Sequence, residues 1–244
     1  MEFRIWDFAR HWSLNQLMSE KLREEFNQWV RDGRSSALES HHRCFVEDMI
    51  SRMNIQPRDR ILEIGCGEGW ASRELAALVP EGMVVGLDVS DEMVSKARAG
   101  SASCENLLLV WGEVQSIPWQ EKFFSQALCI ESFYYFESPE KALREIYRVL
   151  APCGSLWVLN HLSRENEISL QWLSEMKVPV NLLRAEEYGK LFEACGFQEY
   201  SDCMIADRTP EADAPYYGRL TNPAERRRFR ELGALLMSAR RPEE

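Results

Sequence analysis

The chain has 244 residues, 45% of them hydrophobic and 11% aromatic, enough to bury a sizeable core and to exclude disorder over most of its length. Its 29 basic and 39 acidic side chains leave a formal charge of −10, which repels polyanions and argues against a nucleic-acid or anionic-membrane binder. The longest apolar runs, Leu75–Val79 and Leu107–Trp111, have five residues, where a membrane span needs about 20.

In chain order, residues 1–54 contain no Pro and a single Gly, and Leu14, Leu17, Met18, Leu22, Phe26 and Trp29 recur at helical spacing. That pattern predicts one amphipathic helix ending near Gly33 and a second over residues 36–53. From Pro57 short β-type runs alternate with helical stretches, the texture of βαβ units on a parallel sheet. Strands are expected at 61–64, 83–88, 107–111, 126–130 and 155–160, with helices near 70–78, 91–99 and 139–149. Beyond Asn160 the pattern predicts a helix at 185–194, strands at 198–205 and 235–239, and a short helix at 223–229. A strand, an excursion and a returning strand suggest that the unit closes antiparallel. The expected organisation is a helical segment over 1–54 followed by an α/β domain over 55–244.

The N-terminus MEFRIWDFAR lacks the apolar stretch of a secretory signal. The seven cysteines are odd in number, scattered and never paired as C-x-x-C, which suits reduced thiols in a cytoplasmic protein and no zinc site. Seven Arg against two Glu between Arg219 and Arg241 read as a solvated helix face with its flanks.

The informative stretch is ILEIGCGEGWASRELA. Its strand runs into Gly65-Cys66-Gly67-Glu68-Gly69 and then into a helix, where open α/β sheets bind cofactors against a helix N-terminus. A tight turn without a ligand is the plainer alternative. However, the next strand ends in Asp88, 19 residues beyond Gly69, the spacing at which a carboxylate can accept from a ribose diol. The dinucleotide fingerprint G-x-G-x-x-G would place its last glycine at Trp70, and no phosphate-loop G-x-x-x-x-G-K-[ST] is present. Glu63 at the loop entrance disfavours a pyrophosphate and suits a ligand carrying an ammonium group and a sulfonium.

With LEIGCGEG, GLDVSDEMVSKAR, WGEVQSIPW and FFSQALCIESFYYFESPEKALREIYRVLAPCGSLWVL in order, the sequence resembles the class I S-adenosylmethionine-dependent methyltransferases, in their small-molecule branch. The likeness covers most of residues 36–160. It implies a Rossmann-like, doubly wound seven-stranded sheet with its last strand antiparallel and S-adenosyl-L-methionine as cofactor. Where that family has Pro-Gly-Gly, this chain has Pro152-Cys153-Gly154. Residue by residue, the resemblance implies that Glu63 and the loop of Gly65, Cys66, Gly67 and Gly69 face the methionine part, and that Asp88 holds the ribose. It places Val89 and Met93 against adenine, although simple core packing would serve them equally. Glu113 and the Val114 N–H would meet the adenine edge, the alternative for Glu113 being a surface acid. Cys129 and Ile130 would line the inner side.

Methyl transfer from a sulfonium is an in-line displacement that asks for positioning and a dry cavity rather than a metal. No His or Asp occupies an evident base position after the fourth strand. Tyr134, within the aromatic cluster Phe133–Phe136, together with His161 and His11, are the candidates for orienting or deprotonating an acceptor. Core packing of the rings and structural histidines are the alternatives. Tyr216 and Tyr217 could rim the pocket or sit in an exposed loop. The expected partner is a small-molecule acceptor, roofed by residues 1–33. A protein or RNA acceptor, and a non-catalytic cofactor-binding protein, are the competing readings; the oligomeric state is left open.

Overall fold

A computed structural model describes residues 19–210 and 220–243. His11, Tyr216 and Tyr217 lie outside the described residues. The described chain begins with helix α1 (19–31), which ends before Gly33 in the left-handed region, φ 71°. A 3₁₀ turn, Arg34–Ala37, leads into α2 (Leu38–Arg52).

The core alternates strand and helix as its sequence pattern predicts: β1 (Arg60–Ile64), α3 (Trp70–Leu78), β2 (Met83–Asp88), α4 (Asp91–Gly100), β3 (Leu107–Trp111), β4 (Phe124–Ile130), α5 (Pro139–Val149) and β5 (Leu150–Asn160). Then follow α6 (Ala185–Ala194), β6 (Gln198–Ile205), α7 (Pro223–Leu232) and β7 (Ala234–Arg240). The seven strands stand in the order β3-β2-β1-β4-β5-β7-β6. All pairs from β3 to β5 are parallel, and β7 runs antiparallel to both β5 and β6. This is the expected seven-stranded sheet. The chain reverses its direction of winding between β1 and β4, the position where such sheets open a crevice beyond the strands' carboxyl ends.

Local chemistry explains these elements. In α5 the residues Ala142, Leu143, Ile146 and Val149 fall on one stripe and are all buried, as an amphipathic helix on a sheet requires. Ser90 caps α4, its hydroxyl accepting from the Met93 N–H at 3.0 Å, and Asp91 and Glu92 complement the helix dipole in the first turn. Strand β5 begins at Leu150 rather than Ser155 because Leu150 pairs with Phe124 across an irregularity between Phe124 and Gln126.

The period-2 alternation of the strands sorts side chains onto two faces. Leu62, Ile64, Leu87 and Cys129 join α5 and α6 on one face, whereas Ile61, Leu128 and Ile130 join α2 and α3 on the other. Helix α2 buries Phe45, Val46 and Met49 completely in that second layer, each burial contributing roughly 1.5–3 kcal/mol. Helix α1 instead lays Leu22 and Phe26 against Tyr134, Tyr135 and Leu162 beyond the ends of β4 and β5. The two halves of the N-terminal helical segment thus do different things, one completing the core and the other roofing the crevice.

Candidate functional site

A cavity of about 690 Å³ opens at the carboxyl ends of β1, β2 and β4 and runs under α1. One end is built by the loops after β1, β2 and β3. Gly65 and Gly67 take φ of 75° and 52°, a left-handed conformation that glycine adopts without steric cost. A Cβ on Gly65 would stand 2.4 Å from the Ser132 Cβ, while one on Gly67 would meet no protein atom within 4 Å. The first glycine lets β1 and β4 approach, and the second leaves backbone open toward a ligand.

Asp88 closes this loop. One carboxylate oxygen accepts from the Gly67 N–H and the other from the Ser90 N–H, both at 2.8 Å. Burial pushes its carboxyl up to about 6, against the hydrogen bonds from Ser90, Gly67 and Val89. Asp88 also lines the cavity, and a carboxylate has acceptor sites beyond those these bonds use. Glu63 is 2% exposed yet lines the cavity and accepts from the Ser72 hydroxyl. Burial holds its carboxyl near 8, opposed by Ser72 and reinforced by the Asp88 charge. A neutral, buried acid at a cavity wall gains most when an ammonium arrives and lets it ionise.

Val89, Met93, Glu113 and Val114 line the same end, as does Cys66. The Ser19 hydroxyl of α1 donates to Glu113. Two residues included from the loop and strand motifs do not reach the cavity. Gly69 caps α3, where its Cβ would sit 3.2 Å from Ala97, so it serves helix packing. Cys129 is fully buried in the core layer of Ile64 and Leu87 and does not line the cavity, whereas its neighbour Ile130 does.

The other end is aromatic, with Glu25, Glu131, Glu137, Glu175 and Lys177 also in its lining. Tyr134, Tyr135, Phe26, Leu22, Leu162 and Met176 form one wall, with Phe26 edge-on to Tyr135 at a centroid distance of 5.1 Å. His161 lies on the opposite side, stacked on Phe229 at 4.5 Å and 6.3 Å from His42. Burial lowers His161 to about 4, opposed by Asp207, and His42 to about 3, assisted by His161 and His41. Both imidazoles are therefore neutral at pH 7. The residue overlooked by a search for His or Asp after β4 is Glu131. Its Oε1 accepts from the His161 backbone N–H and its Oε2 from the Tyr134 hydroxyl at 2.9 Å. The available signal was its position, one residue past β4, as an acid directly following a strand's carboxyl end.

Helix α1 is fastened over the crevice from the cofactor side. The Asn27 amide donates to Asp91 at 3.0 Å and its carbonyl accepts from the Ser90 hydroxyl at 2.6 Å. Arg31 pairs with Glu92 and Glu24, contacts too exposed to be strong.

Residues 62–158 match the family model described as a methyltransferase domain. A malonyl-[acyl-carrier protein] O-methyltransferase of Legionella pneumophila is 28% identical over 162 residues, covering 66% of this chain and 53% of that protein. The chain spans about half the length of the curated relatives it matches. Among solved structures, a methyltransferase in complex with the Haloferax volcanii Trm112 methyltransferase activator superposes with a TM-score of 0.81 at 28% identity, over 90% of this chain and 98% of that one. A SAM-dependent methyltransferase from Thermotoga maritima shares the fold, with a TM-score of 0.66 at 20% identity over 90% and 99% of the two chains. With the ordered motifs, the β1/β4 crevice and the acid-lined glycine loop, these likenesses lead to one conclusion: the chain carries a class I S-adenosylmethionine-dependent methyltransferase domain.

Proposed function

We propose that the chain transfers a methyl group from S-adenosylmethionine to a small, largely apolar acceptor. The observation that carries this reading is that one cavity joins the Gly65–Gly67 loop to the wall of Tyr134, Tyr135 and Phe26. When bound, the cofactor supplies an electrophilic methyl on a sulfonium. Glu63 and the loop backbone hold the methionine end, Asp88 the ribose, and Val89, Met93, Glu113 and Val114 the adenine. The aromatic wall excludes water and turns ring faces toward a cation, and α1 covers the pair as a roof. Incubation with methyl-labelled S-adenosylmethionine and cell extract, divided into small-molecule, protein and RNA fractions, tests it. Label confined to the protein or RNA fraction would sink the small-molecule acceptor.

A protein partner is favoured by a separate feature. Strand β3 is the sheet's edge, and its Trp111 and Leu108 are 54% and 45% exposed, an apolar rim suited to strand addition or side-on docking. The Haloferax relative is bound to an activator protein, which supports the same arrangement here. Co-elution of this chain with that activator, and its loss in Trp111→Glu with cofactor binding intact, is the expected result.

A further inference from the structure

The acceptor end contains a strained acid. Glu131 has φ 51°, a conformation that is strained for a non-glycine residue and persists where its surroundings over-determine it. Here the turn carries the carboxylate across the end of β5, onto the His161 N–H, and against the Tyr134 hydroxyl. It remains on the cavity wall, next to Ile130 and Ser132.

We propose that Glu131 is the base for the acceptor and that the acceptor is a neutral phenol, an inference that rests on the methyl-transfer reading. The acceptor's O–H bond breaks and its proton passes to Glu131 Oε2. The oxygen lone pair forms the new O–C bond as the C–S bond breaks, and that electron pair stays on sulfur as a neutral thioether.

Three observations support this assignment. No cationic side chain is among the groups that shift the Glu131 carboxyl. Around Glu131 stand Tyr134 and Tyr135 after β4, His161 after β5, His41 and His42 on α2, and Glu25 of α1 with Arg34 beyond it. Of these, His42 and His161 are held neutral, and Glu25 faces Lys177 at 3.7 Å. Burial pushes the Glu131 carboxyl up to about 7, opposed by the His161 and Leu162 N–H groups and by Tyr134. A base near pH 7 is well matched to a phenol, whose ordinary pKa is about 10. An acceptor with a carboxylate or phosphate at the reacting atom would place a second anion beside a buried one, which is disfavoured. Finally, the edge-to-face pair of Phe26 and Tyr135 forms an aromatic wall for a flat ring.

The test uses the full chain saturated with S-adenosylhomocysteine and two probes of equal shape, 2-naphthol and 2-naphthoate, titrated by calorimetry at pH 8. The naphthol should bind at least about tenfold more tightly, and Glu131→Gln should improve naphthoate binding while leaving S-adenosylhomocysteine affinity within about threefold. With labelled S-adenosylmethionine, the naphthol should be O-methylated at a rate that rises with pH, and Glu131→Gln should lose about 10²–10⁴-fold. Tyr134 is a positioning residue. Removing its hydroxyl in Tyr134→Phe takes away a hydrogen bond that holds the Glu131 pKa down, so the rising limb should move up by about one pH unit. Equal binding of the two probes, naphthol bound but not methylated, or an unmoved limb in Tyr134→Phe overturns the assignment. A wild-type chain that does not bind S-adenosylhomocysteine overturns the methyl-transfer reading itself.

Discussion

The two ends of the cavity are built on opposite plans. The cofactor end comes from three short segments, 63–70, 88–93 and 112–115, each following one of the adjacent parallel strands β1, β2 and β3. It presents acids, and at Asp88 the acid is locked by backbone N–H groups. The acceptor end draws on α1, α2, the turns after β4 and β5, the segment around Trp172 to Val178, and α7. It presents rings and neutral imidazoles beside Glu25, Glu131, Glu137, Glu175 and Lys177. A ligand whose chemistry does not vary can be held by loop backbone at strand ends. A ligand peculiar to one enzyme must be matched by side chains, which can be changed one at a time without disturbing the sheet.

Removing residues 1–33 should separate the ends most sharply, because α1 walls the acceptor and only fastens to the cofactor rim. We expect a folded core that binds S-adenosylmethionine within about tenfold by calorimetry, with methyl transfer to the native acceptor falling below detection. Transfer at near full rate would show that the roof is dispensable. Asp88→Ala strikes the opposite end. With two charge-assisted hydrogen bonds to the ribose removed, less what water restores, about 2–4 kcal/mol and roughly 30- to 1000-fold in cofactor affinity should go. A change below threefold would break the assignment of the ribose.

The third prediction concerns pH. Glu63, Asp88 and Glu131 stand near 8, 6 and 7 in the folded chain, above their ordinary 4.5, 3.8 and 4.5. The native state therefore retains protons that the unfolded chain has released, and their stabilisation is complete below about pH 4 and lost as pH rises toward 8. His42 and His161, depressed from 6.5, act on the other side: their contribution is present above 6.5 and lost as pH falls toward 3 to 4. From pH 6.5 to 8 the acids dominate, and the cofactor-free protein should lose on the order of 1–2 kcal/mol, or roughly 2–8 °C in Tm. Saturating S-adenosylmethionine should shrink that fall through its ammonium beside Glu63. A cofactor-free Tm that rises over this interval would contradict the burial of the acids.

The smallest effect is expected from Asn27→Ala, which loosens the roof where it is fastened to Ser90 and Asp91. Acceptor KM should rise roughly three- to tenfold, while cofactor affinity moves by less than threefold in calorimetry. The reverse pattern would make α1 part of the cofactor site.

Much of the cofactor end was legible because its signals are local. Gly65, Gly67 and Asp88 are separated by a strand-helix-strand unit whose length is set by the fold, so their spacing carries geometry. Gly69 and Cys129, named by the same logic, do not line the cavity. Motif membership does not say which way a side chain points: Gly69 faces α4, and β4 alternation turns Cys129 into the core. At the acceptor end His161 and Tyr134 could be nominated from their places after β5 and β4. Glu131 was passed over because its importance depends on a positive φ and on partners 3 and 30 residues away.

By itself the sequence determined the alternating strand-helix order, the antiparallel close, the helices between residues 19 and 52 and the glycine turn after β1, since each follows from periodicity, glycine placement or spacing along one or two adjacent elements. Only the tertiary structure decided that α2 belongs to the core while α1 roofs the crevice, that His42 and His161 meet as neutral rings, and that Glu131 reaches across to β5. Those outcomes depend on contacts between segments distant in the chain, and on the desolvation that such contacts impose on ionisable groups, neither of which leaves a local pattern to read.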